Sequence, residues 1–294
     1  MFHLPTRLAG TRRRVATALG VLGAALALTA TTASGATAAP QPDRDRVEIE
    51  PGEAYMGAGT RLHEGSPAGE PSMGIMAPTD GVQGIDVSHW QGSVNWTSVR
   101  GAGIQFAWMK ATEGSTYKDS SFNTNYPAAY RAGVIRGAYH FARPNVSGGA
   151  TQANYFVNNG GGWSRDNLTL PGVLDIEHNP YGAMCYGLST TQMRTWITDF
   201  YNTYKSRTTR DVVIYTTAGW WNTCTGNWTG MYGKSPLWVA HWTTAASPTI
   251  PSGFPTWTVW QYTSTGSVSG VAGNVDRNQF NGSRDRLLAL ANNT

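Results

Sequence analysis

Two carboxylic acids two residues apart, Asp175 and Glu177, close the apolar run Gly172-Val173-Leu174-Asp175-Ile176-Glu177. In an extended strand residues i and i+2 point to the same face with Cα atoms roughly 6.6 Å apart, so both acids face one cleft. Acid cleavage of a glycosidic bond needs such a pair. One carboxyl keeps a proton for the leaving oxygen, and a second, ionised group lies near the positive charge growing on the sugar ring. Mutual repulsion alone raises one pKa while the other stays low. Asp-x-Glu is also common at solvated strand ends, but the apolar lead-in of Val173, Leu174 and Ile176 points to a buried strand running into a site. The close spacing fits a retaining outcome better than an inverting one, for which the carboxyls stand roughly 6.5–9.5 Å apart to admit water.

The elements that must position this pair are legible as apolar, β-branched or aromatic runs at 85–87, 106–112, 135–141, 173–176, 212–215, 237–241, 257–261 and 274–276. They predict eight short strands. Helix-like stretches lie between the earlier ones, around 96–102, 125–132, 150–157 and 190–205, while the connections after Tyr215 read as shorter and more irregular. The helix at 190–205 is opened by Ser189 as its cap and carries Met193, Trp196, Ile197, Phe200 and Tyr204 at three- and four-residue spacing, a core-facing stripe. Alternating β and α units predict parallel strands. The expected fold is a single flattened, irregular β/α barrel of about eight mostly parallel strands, with fewer helices on its late side. Reactive groups of such barrels sit at the carboxyl ends of strands. Asp86, Thr112-Glu113, Tyr139-His140, Asp175-Glu177, Tyr215, His241, Gln261 and Asp276 all end runs and would share one mouth.

The chain outside 80–294 reads differently. Residues 1–38 carry four arginines and no acid before an apolar stretch and the small-residue site Ala36-Thr37-Ala38, the pattern of a secretion signal peptide. Thr11-Arg12-Arg13 leaves a twin-arginine route open beside the general one. Residues 39–79 are rich in Pro, Gly and Glu, and their excess of acids over three arginines leaves too little apolar surface to fold alone. They are expected to be a pro-segment or a linker, removed near Thr79 or Asp80. The overall formal charge of +4 conceals this contrast, because the acidic segment cancels the leader and the barrel itself is basic. A basic exported domain is drawn to anionic polymers such as bacterial cell walls, whereas the scattered lysines and arginines form no nucleic-acid stripe. No stretch beyond the leader is long and apolar enough for a membrane span. The two cysteines, Cys185 and Cys224, lie in loops of an exported chain and are expected to form a disulfide.

Gly84-Ile85-Asp86-Val87-Ser88-His89-Trp90-Gln91-Gly92, Phe106-Ala107-Trp108-Met109-Lys110-Ala111-Thr112-Glu113-Gly114 and Tyr117-Lys118-Asp119 resemble the signature of glycoside hydrolase family 25, the Chalaropsis-type lysozymes. The resemblance continues through Gly137-Ala138-Tyr139-His140-Phe141, Leu174-Asp175-Ile176-Glu177, Leu237-Trp238-Val239-Ala240-His241-Trp242, Trp260-Gln261-Tyr262 and Val275-Asp276, covering essentially all of 81–280. It implies a secreted, monomeric, cofactor-free muramidase that hydrolyses the β-1,4 bond between N-acetylmuramic acid and N-acetylglucosamine of peptidoglycan, 6-O-acetylated muramic acid included. In that reading Glu177 is the general acid/base and Asp175 steers the substrate's own 2-acetamido group onto the anomeric carbon. Asp86 joins the catalytic set, and Asp276, Tyr139, Tyr215, Trp238 and Gln261 bind the sugar.

Plainer readings stand beside these. Asp86 can hold neighbouring strand ends together, and Asn274-Val275-Asp276-Arg277 can be a salt-bridged strand end. Lys110 and Glu113 read as a structural ion pair, His140 and His241 as satisfied hydrogen-bond partners, and Trp108 as packing. Trp90, Trp238 and Trp242 are candidate faces for stacking on sugar. The histidines show no ligand spacing, so no metal is expected. A chitinase-like barrel would carry a longer acidic series, and Val173 stands where it would need an acid. A purely binding barrel would need neither Asp175 nor Glu177.

Overall fold

The computed structural model describes residues 49–64 and 81–294. The signal peptide expected over 1–38 lies outside the described residues, as does the cleavage point near Thr79 and Asp80. In chain order the elements are α1 (Ala58–Glu64), β1 (Val82–Val87), α2 (Trp96–Gly101), β2 (Phe106–Glu113), β3 (Tyr117–Lys118), α3 (Phe122–Arg131), β4 (Ile135–Phe141), α4 (Gly149–Phe156), β5 (Val173–Asp175), α5 (Thr190–Thr208), β6 (Val213–Thr216), α6 (Ala218–Thr225), β7 (Leu237–Ala240), β8 (Val259–Gly266), β9 (Val275–Phe280) and α7 (Arg284–Asn292).

Eight strands close into a barrel in the order β1-β9-β8-β7-β6-β5-β4-β2, with β2 pairing back onto β1 and β3 attached as a short hairpin strand on β2. This is the expected flattened β/α barrel, parallel except at β9, which runs antiparallel to both β1 and β8. The reversal brings the start of β9 to the mouth, so Asp276 faces Asp86 in register although it begins its strand. The expected late irregularity is present between β7 and β8, where residues 241–258 carry no helix, but a capped helix, α6, follows β6.

Strand periodicity sorts the core into two layers. Val82, Phe106, Trp108, Ile135, Val173, Val213, Trp238 and Val259 fill the barrel, while Ile85, Val87, Ala107, Met109, Leu174, Ile214 and Val239 alternate outward against the helices. The interior is tight because Phe106 and Trp108 are large. Their register neighbours are glycines, and a Cβ on Gly84 would meet the Phe106 ring at 2.3 Å and one on Gly137 would meet the Trp108 ring at 2.2 Å. Leu287 and Ala291 of α7 join the same interior cluster. On the outside, α5 starts with a Ser189/Gln192 capping box and buries Met193, Trp196, Ile197, Phe200 and Tyr204, as the stripe predicts. It runs three residues past the expected end, to a left-handed Thr209. The expected disulfide is present, Cys185 to Cys224 with Cα atoms 5.4 Å apart, tying the loop after β5 to α6.

Candidate active site

Asp175 is the last residue of β5, paired between Phe141 and Tyr215. The chain stays extended beyond it, because the Ile176 amide donates to the Tyr215 carbonyl at 3.0 Å and Ile176 packs outward. Glu177 therefore returns to the inner face beside Asp175, and both side chains are fully buried at the mouth. Burial pushes the Glu177 carboxyl up to about 8 against hydrogen bonds from Gly57, Thr60 and Asp175 that hold it down. Burial, and then the charges of Glu177 and Asp86, raise Asp175 well above the ordinary carboxylate range. Two carboxyls this close titrate as a pair that stays protonated through neutral pH. Asp175 has no hydrogen-bond partner beyond Glu177 among the described residues, and the Tyr139 hydroxyl, which is also buried in the barrel, has none. Burial, followed by the charges of Asp86 and Asp175, keeps that phenol protonated. Buried polar atoms without partners are rare enough to need a reason.

Asp86 on β1 is gripped by two carboxamides. Its Oδ2 accepts from Gln261 Nε2 at 3.0 Å and from Asn278 Nδ2 at 2.7 Å. Each amide is oriented by donors that leave it no choice. Gln261 Oε1 accepts from the Tyr215 hydroxyl at 2.7 Å and the Trp242 indole at 3.0 Å, and Asn278 Oδ1 accepts from the Trp238 indole at 3.0 Å. Since an indole can only donate, the oxygens must face the tryptophans and the NH₂ groups must face Asp86. Tyr215, Gln261 and Asp86 are thus brought together as the sequence predicts, with Asp276 opposite Asp86. Trp238 lies fully buried between Trp108 and Tyr215 and meets the site through Asn278. Asn278 was not singled out by the sequence, and only its i+2 spacing from Asp276 on one strand face signals it.

Lys110 and Glu113 form the expected ion pair at 2.7 Å, both buried at the mouth. His140 is held between Thr112 and Gln152, with burial pulling it down to about 4, and His241 accepts from the Thr249 amide.

Residues 49–64 cross the opening of this barrel, and 54–60 are buried there. Lys110 Nζ donates to the carbonyls of Gly52 and Ala54, the Gly52 amide donates to Glu113 at 2.9 Å, and the Trp90 indole donates to the Glu53 carbonyl at 2.6 Å. Met56 joins the interior cluster with Tyr139, Tyr215 and Trp238. Glu177 then accepts from the Gly57 amide at 2.6 Å, the Thr60 amide at 3.2 Å and the Thr60 hydroxyl at 3.1 Å. Further along, His63 stacks on His178, Glu64 accepts from Thr217 at 3.0 Å, and Arg61 reaches Ser264 at 3.1 Å. Trp90 and Trp242 lie beneath this segment, under Tyr55 and under Gly57 and Arg61 respectively.

The chain matches the family described as glycosyl hydrolases family 25 over residues 85–271. It is 68% identical to lysozyme M1 of Streptomyces globisporus over 97% of this chain and 96% of that protein. It is 42% identical to the N,O-diacetylmuramidase of a Chalaropsis species over 71% of this chain and 99% of that protein. Among solved structures, the bacterial lysozyme of Streptomyces coelicolor superposes with a TM-score of 0.72 at 74% identity, covering 74% of this chain and 99% of that one.

Proposed function

Since this chain belongs to glycosyl hydrolases family 25 and is a lysozyme, a muramidase that hydrolyses peptidoglycan, we propose that Glu177 is its proton donor and Asp175 the group that holds the reacting sugar. The observation that carries this reading is the burial of both carboxyls side by side at the mouth, where one proton stays on the pair at neutral pH. A protonated Glu177 delivers its proton to the leaving oxygen of the β-1,4 bond between N-acetylmuramic acid and N-acetylglucosamine, and the resulting carboxylate then takes a proton from the water that attacks the anomeric carbon and displaces the acetamido oxygen bonded there. Asp175 accepts the N–H of the 2-acetamido group, whose carbonyl oxygen attacks the anomeric carbon. Its burial with no partner beyond Glu177 supports this role, since a ligand N–H supplies the donor that its carboxylate lacks. The free Tyr139 hydroxyl is a donor for the same sugar. Asp86, fixed by Gln261 and Asn278, faces the site with Asp276 and adds negative charge where the ring becomes positive.

Acceptance of 6-O-acetylated muramic acid is supported by the likeness to N,O-diacetylmuramidases. Secretion through a signal over 1–38 fits the disulfide and the location of the wall polymer, and the barrel's basic charge suits that anionic partner. In this reading the enzyme acts as a monomer without nucleic acid, membrane or cofactor, and residues 39–79 are a pro-segment. Mass spectrometry of fragments released from purified peptidoglycan tests it. Fragments with muramic acid at the reducing end, lost in Glu177→Gln, are expected, and unchanged release by that variant would remove Glu177 from its role.

A further inference from the structure

We propose that residues 49–64 are an internal inhibitor that occupies the substrate cleft and ties up the Glu177 carboxyl. The proposal rests on the reading of Glu177 as proton donor and adds what keeps that donor idle.

The segment takes the place of substrate at each part of the mouth. Its backbone at 52–54 satisfies the buried Lys110–Glu113 pair, Met56 enters the interior beside Tyr139, and Gly57 lies against Trp242 and Tyr215. The fit is close and sequence-specific. Gly57 has φ +82° and a Cβ there would meet the Trp242 ring at 2.6 Å, while a Cβ on Gly59 would lie 1.8 Å from the His178 carbonyl oxygen. Only glycine permits that approach. The acidic segment also faces a basic barrel, a complementarity that favours docking.

Its effect on Glu177 goes beyond exclusion. The first amides of a helix lack partners within it, and Glu177 supplies them with a carboxylate that accepts three hydrogen bonds from Gly57 and Thr60. These three donors tie the Glu177 carboxyl to the segment and away from any sugar oxygen. The segment therefore occupies the proton donor as well as the cleft, and its departure frees both.

The test begins with the intact chain carrying a specific protease site between Glu64 and Gly81. The Streptomyces coelicolor lysozyme structure is matched over 99% of its length by 74% of this chain, about the extent of the barrel that remains after the cut. Peptidoglycan hydrolysis is measured before cutting, and after cutting and removal of the small fragment. A segment that occupies the cleft 99% of the time lowers activity about 100-fold, so a rise of at least that order is expected. Gly59→Ala in the uncut chain, outside the catalytic machinery, should raise activity toward the cut level. A synthetic peptide of residues 49–64 should inhibit the cut enzyme, and the same peptide with the Gly59→Ala change should not. Equal activity before and after cutting, or loss of activity on removing the fragment, would overturn the proposal. The peptide arm decides the matter should the Gly59→Ala chain fail to fold. Failure of the Glu177 reading is distinguishable, because it shows as an active Glu177→Gln variant in the cut enzyme.

Discussion

Asn278 offers a graded perturbation of the network around Asp86. It is fully buried, donates to Asp86 Oδ2 at 2.7 Å and accepts from the Trp238 indole at 3.0 Å. Asn278→Leu leaves the indole without an acceptor, costing about 1–3 kcal/mol, and takes one of two described donors from a buried carboxyl, about 1.5–3 kcal/mol more. The expected loss of unfolding free energy is about 3–5 kcal/mol at neutral pH. Asn278→Asp preserves shape and the acceptor for Trp238 but sets a second carboxyl against Asp86. Two carboxyls at that distance cannot both ionise, so one keeps a proton in the folded state at a pH where it would lose it in the unfolded chain. The folded pKa is raised above the ordinary 3.8 of an aspartate, so the folded state binds more protons and stability falls as pH rises. The slope is about 1.4 kcal/mol per pH unit, or about 3 kcal/mol between pH 5 and pH 7, relative to the unsubstituted chain. Urea unfolding followed by circular dichroism at the two pH values measures both variants. A pH-independent Asn278→Asp difference, or an Asn278→Leu loss under about 0.5 kcal/mol, would refute the assigned orientation of the amide.

Other consequences are as direct. Gly84→Ala drives a methyl into the Phe106 ring, 2.3 Å from the Cβ position, and should cost about 1–3 kcal/mol in thermal or chemical unfolding. Opening the Cys185–Cys224 bridge by Cys224→Ser frees a loop with a sequence separation of 39 and should cost about 4 kcal/mol, reproduced on the unsubstituted chain by reductant. With substrate bound, Glu177 is again buried and must be protonated to act. Burial raises its carboxyl above the ordinary 4.5, and a sugar covering the mouth in place of the segment buries it likewise, so kcat should hold well above pH 4.5 and fall only at higher pH. A basic limb near 4.5 would contradict the assignment.

The strands were legible because each is an apolar run that alternates between the barrel and its helices, and Asp175 and Glu177 were legible because that alternation ends on them. The direction of β9 was not, since a short connection allows a hairpin where the earlier units need a helix to return in parallel. Gln261 and Asn278 look alike in sequence, as uncharged amides in strands, and only the closed barrel shows that both converge on Asp86. Composition marked residues 39–79 as unable to fold alone, and 49–64 do not. They fold onto partners far along the chain, as Gly57 does onto Glu177 at a separation of 120 residues, and composition carries no trace of such contacts.

The roles of the two acids are separated most directly by the leaving group. On an aryl β-glycoside of N-acetylmuramic acid the phenolate leaves without a proton, so the cut Glu177→Gln enzyme should still expel it while failing on peptidoglycan, and Asp175→Asn should fail on both. Equal loss on the two substrates for Glu177→Gln, or an Asp175→Asn enzyme that still cleaves the aryl glycoside, would contradict the assignment of proton donor and sugar-holding carboxylate.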